Sequence, residues 1–247
     1  MDAAGWVGHT PPMQWPLLDM LFSRTCEGCG NDLATEPGAL CWDCRVGLKP
    51  VQVPFCERCG DPVAGVTGGP FECTWCRQNQ PAFVWARSAV RYDGIAAACI
   101  RRFKYHAGVW LQAELVDWLW ALWRTCPEPK VADLVAPVPL YRRRERERGF
   151  NQAALLGRSL AKRMGIPFRG NLLRRHKPTA TQTHLTAAQR VHNVRGVFSA
   201  PAPRRLQGAR VVLVDDVMTT GATVNECARV LMAAGAQAVM ILTVARG

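Results

Sequence analysis

The chain has 247 residues, 49% hydrophobic and 20% charged, with 31 Lys and Arg against 19 Asp and Glu for a formal charge of +12. This content excludes a wholly disordered chain, and the length suits one or two domains with a buried core. The charge is uneven, because 13 basic and no acidic residues lie from Arg148 to Arg210 while the remainder carries 18 basic and 19 acidic, so a local positive field is expected, suited to a nucleotide, a phosphosugar or nucleic acid.

In chain order, Met13, Leu17, Met20 and Leu21 recur at i, i+4, i+7 and i+8, which predicts a short amphipathic helix behind a featureless tail within residues 1–25. The opening segment carries Asp2 and Asp19 and has no basic n-region, so a secretory signal is not read. The longest apolar stretch, residues 109–123, is broken by Gln112, Glu114 and Asp117, and a membrane span is not read either. A cytoplasmic protein is expected.

Residues 26–80 hold eight of the eleven cysteines as four C-x-x-C pairs, Cys26/Cys29, Cys41/Cys44, Cys56/Cys59 and Cys73/Cys76. Two thiolates two residues apart can chelate one face of a zinc ion, and Gly28, Gly30 and Gly60 sit in or beside the knuckles. Gaps of 11 and 13 residues between pairs predict a double zinc ribbon with two structural Zn2+ ions. The simplest sets are Cys26/Cys29/Cys41/Cys44 and Cys56/Cys59/Cys73/Cys76, with cross-braced pairing left open. A disulfide framework suits an oxidising compartment, and a redox pair expects one C-x-x-C at a helix start; neither matches four pairs in a Gly- and Pro-bearing segment. Cys99, Cys126 and Cys227 stand alone and read as core residues.

Residues 81–247 read as alternating strands and helices. Strands are expected near 84–92 and 133–138, and helices near 95–105, 109–125 and 152–164. Short strands are expected around Leu172, Leu173, Val197 and Phe198, flanking a polar, basic, Thr-bearing loop read as exposed. Trp110, Trp118, Trp120 and Trp123 fall at near-helical spacing and read as core rather than as stacking platforms for single-stranded DNA. His106, His176, His184 and His192 are scattered and form no metal pattern.

The strongest chemical signal lies at residues 210–223. Val211 to Val214 are four consecutive apolar residues, as in a buried parallel strand, and Val224, Cys227, Ala228 and Leu231 mark a following helix that Gly235 can close. The connection between them, from Asp215 to Thr223, is read as a strand-to-helix loop at the carboxyl end of a parallel strand, where open α/β sheets bind ligands. Its hydroxyls, its amides and the positive end of the helix suit a phosphate, and the two carboxylates suit sugar hydroxyls or Mg2+. A second cluster follows the strand ending Ala136-Pro137-Val138-Pro139: Arg142, Arg143, Arg144, Arg146 and Arg148 form an arginine-rich loop that can pair with a pyrophosphate or be a solvated face.

Asp215-Asp216 followed by Thr219-Thr220-Gly221-Ala222-Thr223 resembles the motif of type I phosphoribosyltransferases for 5-phosphoribosyl 1-pyrophosphate (PRPP). The resemblance implies that Asp215 and Asp216 are the catalytic carboxylates on the ribose 2′ and 3′ hydroxyls. Thr219, Thr220, Gly221, Ala222 and Thr223 then cradle the 5′-phosphate, and Mg2+ accompanies PRPP. Ala222 stands where many members have a second glycine. Together with the four C-x-x-C pairs, Arg148-Gly149-Phe150-Asn151-Gln152 and the segment with Thr181, Gln182, Arg190 and Asn193, residues 13–245 resemble the ComF family, in the manner of ComFC. That resemblance implies an α/β, mostly parallel sheet flanked by helices and preceded by the double zinc ribbon. It places Pro137, Val138 and Arg148 at the pyrophosphate side and residues 177–190 in an active-site hood. It also implies work in single-stranded DNA uptake or processing during competence, beside a DNA-uptake helicase at the periphery of a membrane-bound machinery. Glutamine-dependent relatives rely on an N-terminal cysteine, whereas this chain opens Met1-Asp2-Ala3, so glutamine amidotransfer is not expected. Two other readings stay open: a metabolic phosphoribosyltransferase with its own acceptor, and a zinc-ribbon module that grips single-stranded DNA beside a vestigial PRPP loop. Chelators are expected to destabilise the ribbons far more than the α/β part.

Overall fold

The computed structural model describes residues 24–33, 38–65, 69–105, 108–128, 131–178, 193–201 and 206–247. The amphipathic helix expected from Met13 to Leu21, most of the expected hood, His106, His184 and His192 lie outside them. The strands are β1 (Trp85–Arg91), β2 (Leu134–Pro137), β3 (Arg174–Arg175), β4 (Phe198–Ser199), β5 (Arg210–Met218) and β6 (Ala238–Arg246). Four of them form one parallel sheet in the order β1-β6-β5-β2, while β3 and β4 pair antiparallel beside it.

Helices α1 (Trp42–Val46) and α2 (Thr74–Asn79) belong to the cysteine-rich segment. Next come α3 (Gly94–Tyr105), a 3-10 turn (Val109–Leu111) running into α4 (Gln112–Thr125), α5 (Arg142–Arg148), α6 (Gln152–Met164) and α7 (Ala222–Ala233). No helix among the described residues is long and apolar enough to cross a membrane.

Both faces of the sheet are covered, as a parallel sheet requires. Side chains alternate along a strand, so Val212, Val214, Met240 and Leu242 face one layer, with Ile100, Phe103, Leu115, Leu119, Leu156 and Leu160 of α3, α4 and α6. Val211, Leu213, Val239 and Ile241 face the other, with Val224, Cys227 and Leu231 of α7. The tryptophan stripe is core as read for Trp118 and Trp123, which are buried; Trp110 is 54% exposed and donates its Nε1 hydrogen to Glu27 Oε1 at 2.9 Å. Cys99, Cys126 and Cys227 are buried, and burial pushes the Cys99 thiol up to about 12, where it is unreactive.

The cysteine segment divides between the two layers. Cys26, Cys41, Cys44, Leu33 and Leu40 pack with the α3/α4 layer, and Cys56, Cys59, Cys76 and Phe83 pack with the α7 layer. The chain passes between them along the free edge of β1. There Arg91 N donates to Lys49 O at 2.8 Å, Val51 N to Ala89 O at 3.0 Å and Ala86 N to Arg58 O at 2.8 Å. A Cβ on Gly60 would stand 2.5 Å from the carbonyl oxygen of Ala86, so only glycine lets the second knuckle lie against this strand. The cysteines of each cluster thus pack into a layer of the sheet rather than into a core of their own.

Two local expectations are corrected. Residues 142–148 form a helix, not a loop: Glu145 and Glu147 interleave the arginines, Arg143 Nε bonds Glu147 Oε1 at 2.8 Å across one turn, and Gly149 closes the helix at φ 85°. The strand expected to end at Val214 continues to Met218, so the acid pair lies within β5 rather than in the loop.

Candidate functional site

Each cysteine set forms a compact cluster of sequential pairs, which decides the ligand sets left open by spacing. Within each set the four Sγ atoms all lie within 4.8 Å of one another. Cys29 and Cys41 Sγ are 3.7 Å apart, and Cys59 and Cys73 Sγ 3.8 Å. Four sulfurs around zinc at about 2.3 Å make a tetrahedron with edges of about 3.8 Å, so each set fits one Zn2+ with no position left for water. All eleven cysteines are free, which removes the disulfide framework. Amides supply the outer contacts: Gly28 N and Cys41 N donate to Cys26 Sγ at 3.4 and 3.3 Å, and Cys73 N donates to Cys56 Sγ at 3.3 Å. Burial works against the Cys26 thiolate, yet the amides of Cys41, Cys29 and Gly28 outweigh it and bring the thiol down to about 6.

The second site is built at the carboxyl end of β5. Strand alternation sends its two acids to opposite faces. Asp216 leaves on the α3 side, buried at 4% exposure, and its Oδ1 accepts from Lys104 Nζ at 3.0 Å. Its Oδ2 is buried with no hydrogen-bond partner among the described residues, which leaves an acceptor for a ligand hydroxyl or a cation. Asp215 leaves on the other side; its Oδ1 accepts from Asp216 N at 2.9 Å. It lines a hollow with Thr219, Thr220, Gly221, Ala222 and Thr223. Gly221 stands at φ 77° immediately before α7, and Thr220 Oγ1 accepts from Ala222 N at 3.4 Å. The loop thus ends at the amides of a three-turn helix, an arrangement suited to a phosphate dianion. Ala222 is already helical, so the methyl group is accommodated where the resembling motif has glycine.

The pyrophosphate-side residues lie alongside. Pro137 pairs with Val214, and Val138 N donates to Val214 O at 2.9 Å, so the end of β2 borders Asp215. Asn151 explains one of the sequence marks: its Nδ2 donates to Val138 O at 3.1 Å while its Oδ1 caps α6 by accepting from Ala153 N at 3.0 Å. Asn151→Ala removes a cap and strands a buried carbonyl, and is expected to lower unfolding free energy by about 2–4 kcal/mol in a denaturant titration. Arg148 is turned toward Gln152 and Tyr105: Nη1 meets Gln152 Oε1 at 2.5 Å, and the guanidinium lies 5.1 Å from the Tyr105 ring centroid.

Three cations were missed from sequence. Lys104 follows Ala97 and Ile100 at i+7 and i+4 on the buried face of α3, and a lysine on such a face was a readable signal. Burial works against its ammonium, but the charges of Asp216 and Asp215 outweigh it and hold its pKa above the ordinary value. Arg175, buried on β3, acts on Asp215 electrostatically, and Arg246, buried at the end of β6, donates to the carbonyl of Thr219. Neither was distinguishable from other arginines in the sequence.

Burial, followed by the Asp216 charge, pushes the Asp215 carboxyl up to about 7, against the opposing effects of the Asp216 amide, Lys104 and Arg175. An acid raised on folding holds its proton more tightly in the folded state, so its contribution to stability is complete below pH 3.8 and is lost as pH rises through about 7. The melting temperature of Asp215→Asn minus that of the wild type is therefore expected to grow from pH 5 to pH 8. A constant difference across that series contradicts the raised carboxyl.

Residues 17–78 match the family model "Double zinc ribbon domain", and residues 151–247 match "Phosphoribosyl transferase domain". Competence protein F of Haemophilus influenzae is 31% identical over 231 residues, covering 91% of this chain and 98% of that protein. DNA utilization protein YhgH of Salmonella typhimurium is 32% identical over 231 residues, covering 87% of this chain and 99% of its own. Among solved structures, glutamine PRPP amidotransferase from B. subtilis aligns at a TM-score of 0.40 and 23% identity, over 59% of this chain and 30% of that one.

Proposed function

Because the chain belongs to the ComF family, with a double zinc ribbon and a phosphoribosyltransferase domain, we propose that it binds PRPP or a related phosphoribosyl ligand at the end of β5. The observation that carries this reading is the buried, unpartnered Oδ2 of Asp216 at the strand end whose other face opens on the hollow lined by Asp215 and residues 219–223. Asp215 and Asp216 hold the ribose hydroxyls, and the Thr219–Thr223 loop with the α7 amides holds the 5′-phosphate. Mg2+ bound with the diphosphate would spread its charge. Lys104 and Arg175 keep the acid pair in a positive setting, so the two adjacent carboxylates are tolerated before a ligand arrives.

Any transfer from PRPP requires stabilisation of a cation-like ribose and of a departing pyrophosphate, and the exposed arginines of α5 border the strand end where that group would leave. A role in the uptake or processing of single-stranded DNA is supported by the names of the relatives and by the basic stretch from Arg148 to Arg210. Calorimetric titration of the zinc-loaded protein with PRPP and Mg2+ tests the reading. Saturable binding near one per chain is expected. No heat at millimolar ligand, together with salt-sensitive retention of single-stranded DNA, would transfer the function to a nucleic-acid module with an inactive loop.

A further inference from the structure

One unbroken set of polar contacts joins the second cysteine cluster to the phosphate loop. Asp61, two residues beyond Cys59, accepts from Arg246 Nε and Nη2, both at 2.9 Å, and Arg246 Nη1 donates to the carbonyl oxygen of Thr219 at 2.5 Å. The Arg246 side chain is 8% exposed, and its pairing with Asp61 offsets the cost of burying the charge. Gly247 N bonds Met218 O at 3.0 Å, and Trp75 of α2 lies 3.8 Å from where a Cβ on Gly221 would stand. Asp61, Trp75, Tyr92, Thr219 and Thr220 line a groove of about 580 Å³ between ribbon and loop.

We propose that Arg246 is a positioning residue for the phosphate loop and Asp61 its anchor, so that the folded second ribbon sets the loop's shape and its grip on phosphate. The reason lies in the peptide plane. In a trans peptide the carbonyl of Thr219 and the amide of Thr220 point in opposite directions, so fixing that oxygen on Arg246 aims the Thr220 amide away from the guanidinium. An anion-binding loop works only when its amides are held in convergence before the ligand arrives. The ligand part of this inference rests on the phosphoribosyl reading above; the loop-ordering part does not.

The experiment uses full-length, zinc-loaded wild type, Asp61→Asn, Asp61→Glu, Arg246→Met and the Asp61→Asn/Arg246→Met pair. Amide exchange of residues 218–222 is followed without ligand, and ribose 5-phosphate affinity is measured by calorimetry. Asp61→Asn is expected to speed exchange in that segment and weaken ribose 5-phosphate by about tenfold each, the effect of one charge-assisted hydrogen bond. It should keep two zinc ions, and Asp61→Glu should restore both readouts. The double variant should lose no more than either single one. Wild-type exchange at 218–222 in Asp61→Asn overturns the proposal, and faster exchange with unchanged affinity overturns its claim on phosphate. If the wild type itself does not bind ribose 5-phosphate, the phosphoribosyl reading fails while exchange still decides the positioning role.

Discussion

Asparagine at both Asp215 and Asp216 is expected to weaken PRPP binding by about 10²- to 10⁴-fold while the chain stays folded, since two charge-assisted hydrogen bonds of about 1.5–3 kcal/mol each are lost. The two positions differ in what else they carry. Asp215 lines the hollow, and its removal relieves a carboxyl already raised by burial, so Asp215→Asn should bind poorly without losing stability. Asp216 also neutralises Lys104, whose side chain is only 19% exposed, so Asp216→Asn alone leaves a cation without its partner. The paired change Asp216→Asn/Lys104→Met removes both charges, and should melt above Asp216→Asn while still failing to bind. Calorimetry and thermal melting of the four proteins separate site loss from unfolding. PRPP affinity unchanged in the Asp215/Asp216 double variant would rule out this strand end as the ribose site.

Zinc removal carries the second large effect. A structural tetrathiolate site contributes about 10–16 kcal/mol at neutral pH, comparable to or larger than the whole net stability of a domain, about 5–15 kcal/mol. Cys56, Cys59 and Cys76 lie in one apolar layer with Leu213 and Ile241, and Cys26, Cys41 and Cys44 lie in the other with Ile100 and Leu115. Chelation, or Cys56→Ser with Cys59→Ser, is therefore expected to unfold the sheet together with the ribbon. Circular dichroism should show a single loss of helix signal, and β5 and β6 amides should lose exchange protection. Persistent protection of those strands in the metal-free protein would show the ribbons to be separable after all.

The sequence made legible what depends on local period and spacing. The C-x-x-C pairs marked both metal clusters because chelation needs neighbouring thiolates, and residues 152–164 matched α6 because its apolar face repeats at helical spacing and Gly165 ends it. Asp215, Asp216 and the Thr219–Thr223 loop were legible because nine consecutive residues, from the end of β5 to the start of α7, carry them all. Contacts made across the sheet were not legible. β6 was not read as a strand although residues 238–245 are almost wholly apolar and uncharged, a pattern that suits a strand or a buried helix alike. Lys104, Arg175 and Arg246 reach the site from α3, β3 and β6, elements far apart in the chain that only the tertiary fold brings to one end of β5. Residues 142–148 read as a pyrophosphate-side loop because the arginine run carries no apolar face, yet Glu145 and Glu147 among the arginines allow a helix with an internal ion pair.

The strip of chain along the free edge of β1 has a bearing on the order in which the protein is made. β1 must wait for β6, whose first residue emerges about 150 residues later, an interval of roughly 8–30 s at ordinary translation rates. Throughout that interval residues 49–51 and Arg58 already exist and can bond the main-chain groups on one side of β1. Once folded against β1, residues 49–51 and 58 close that edge to a neighbouring chain and leave only the β6 side open.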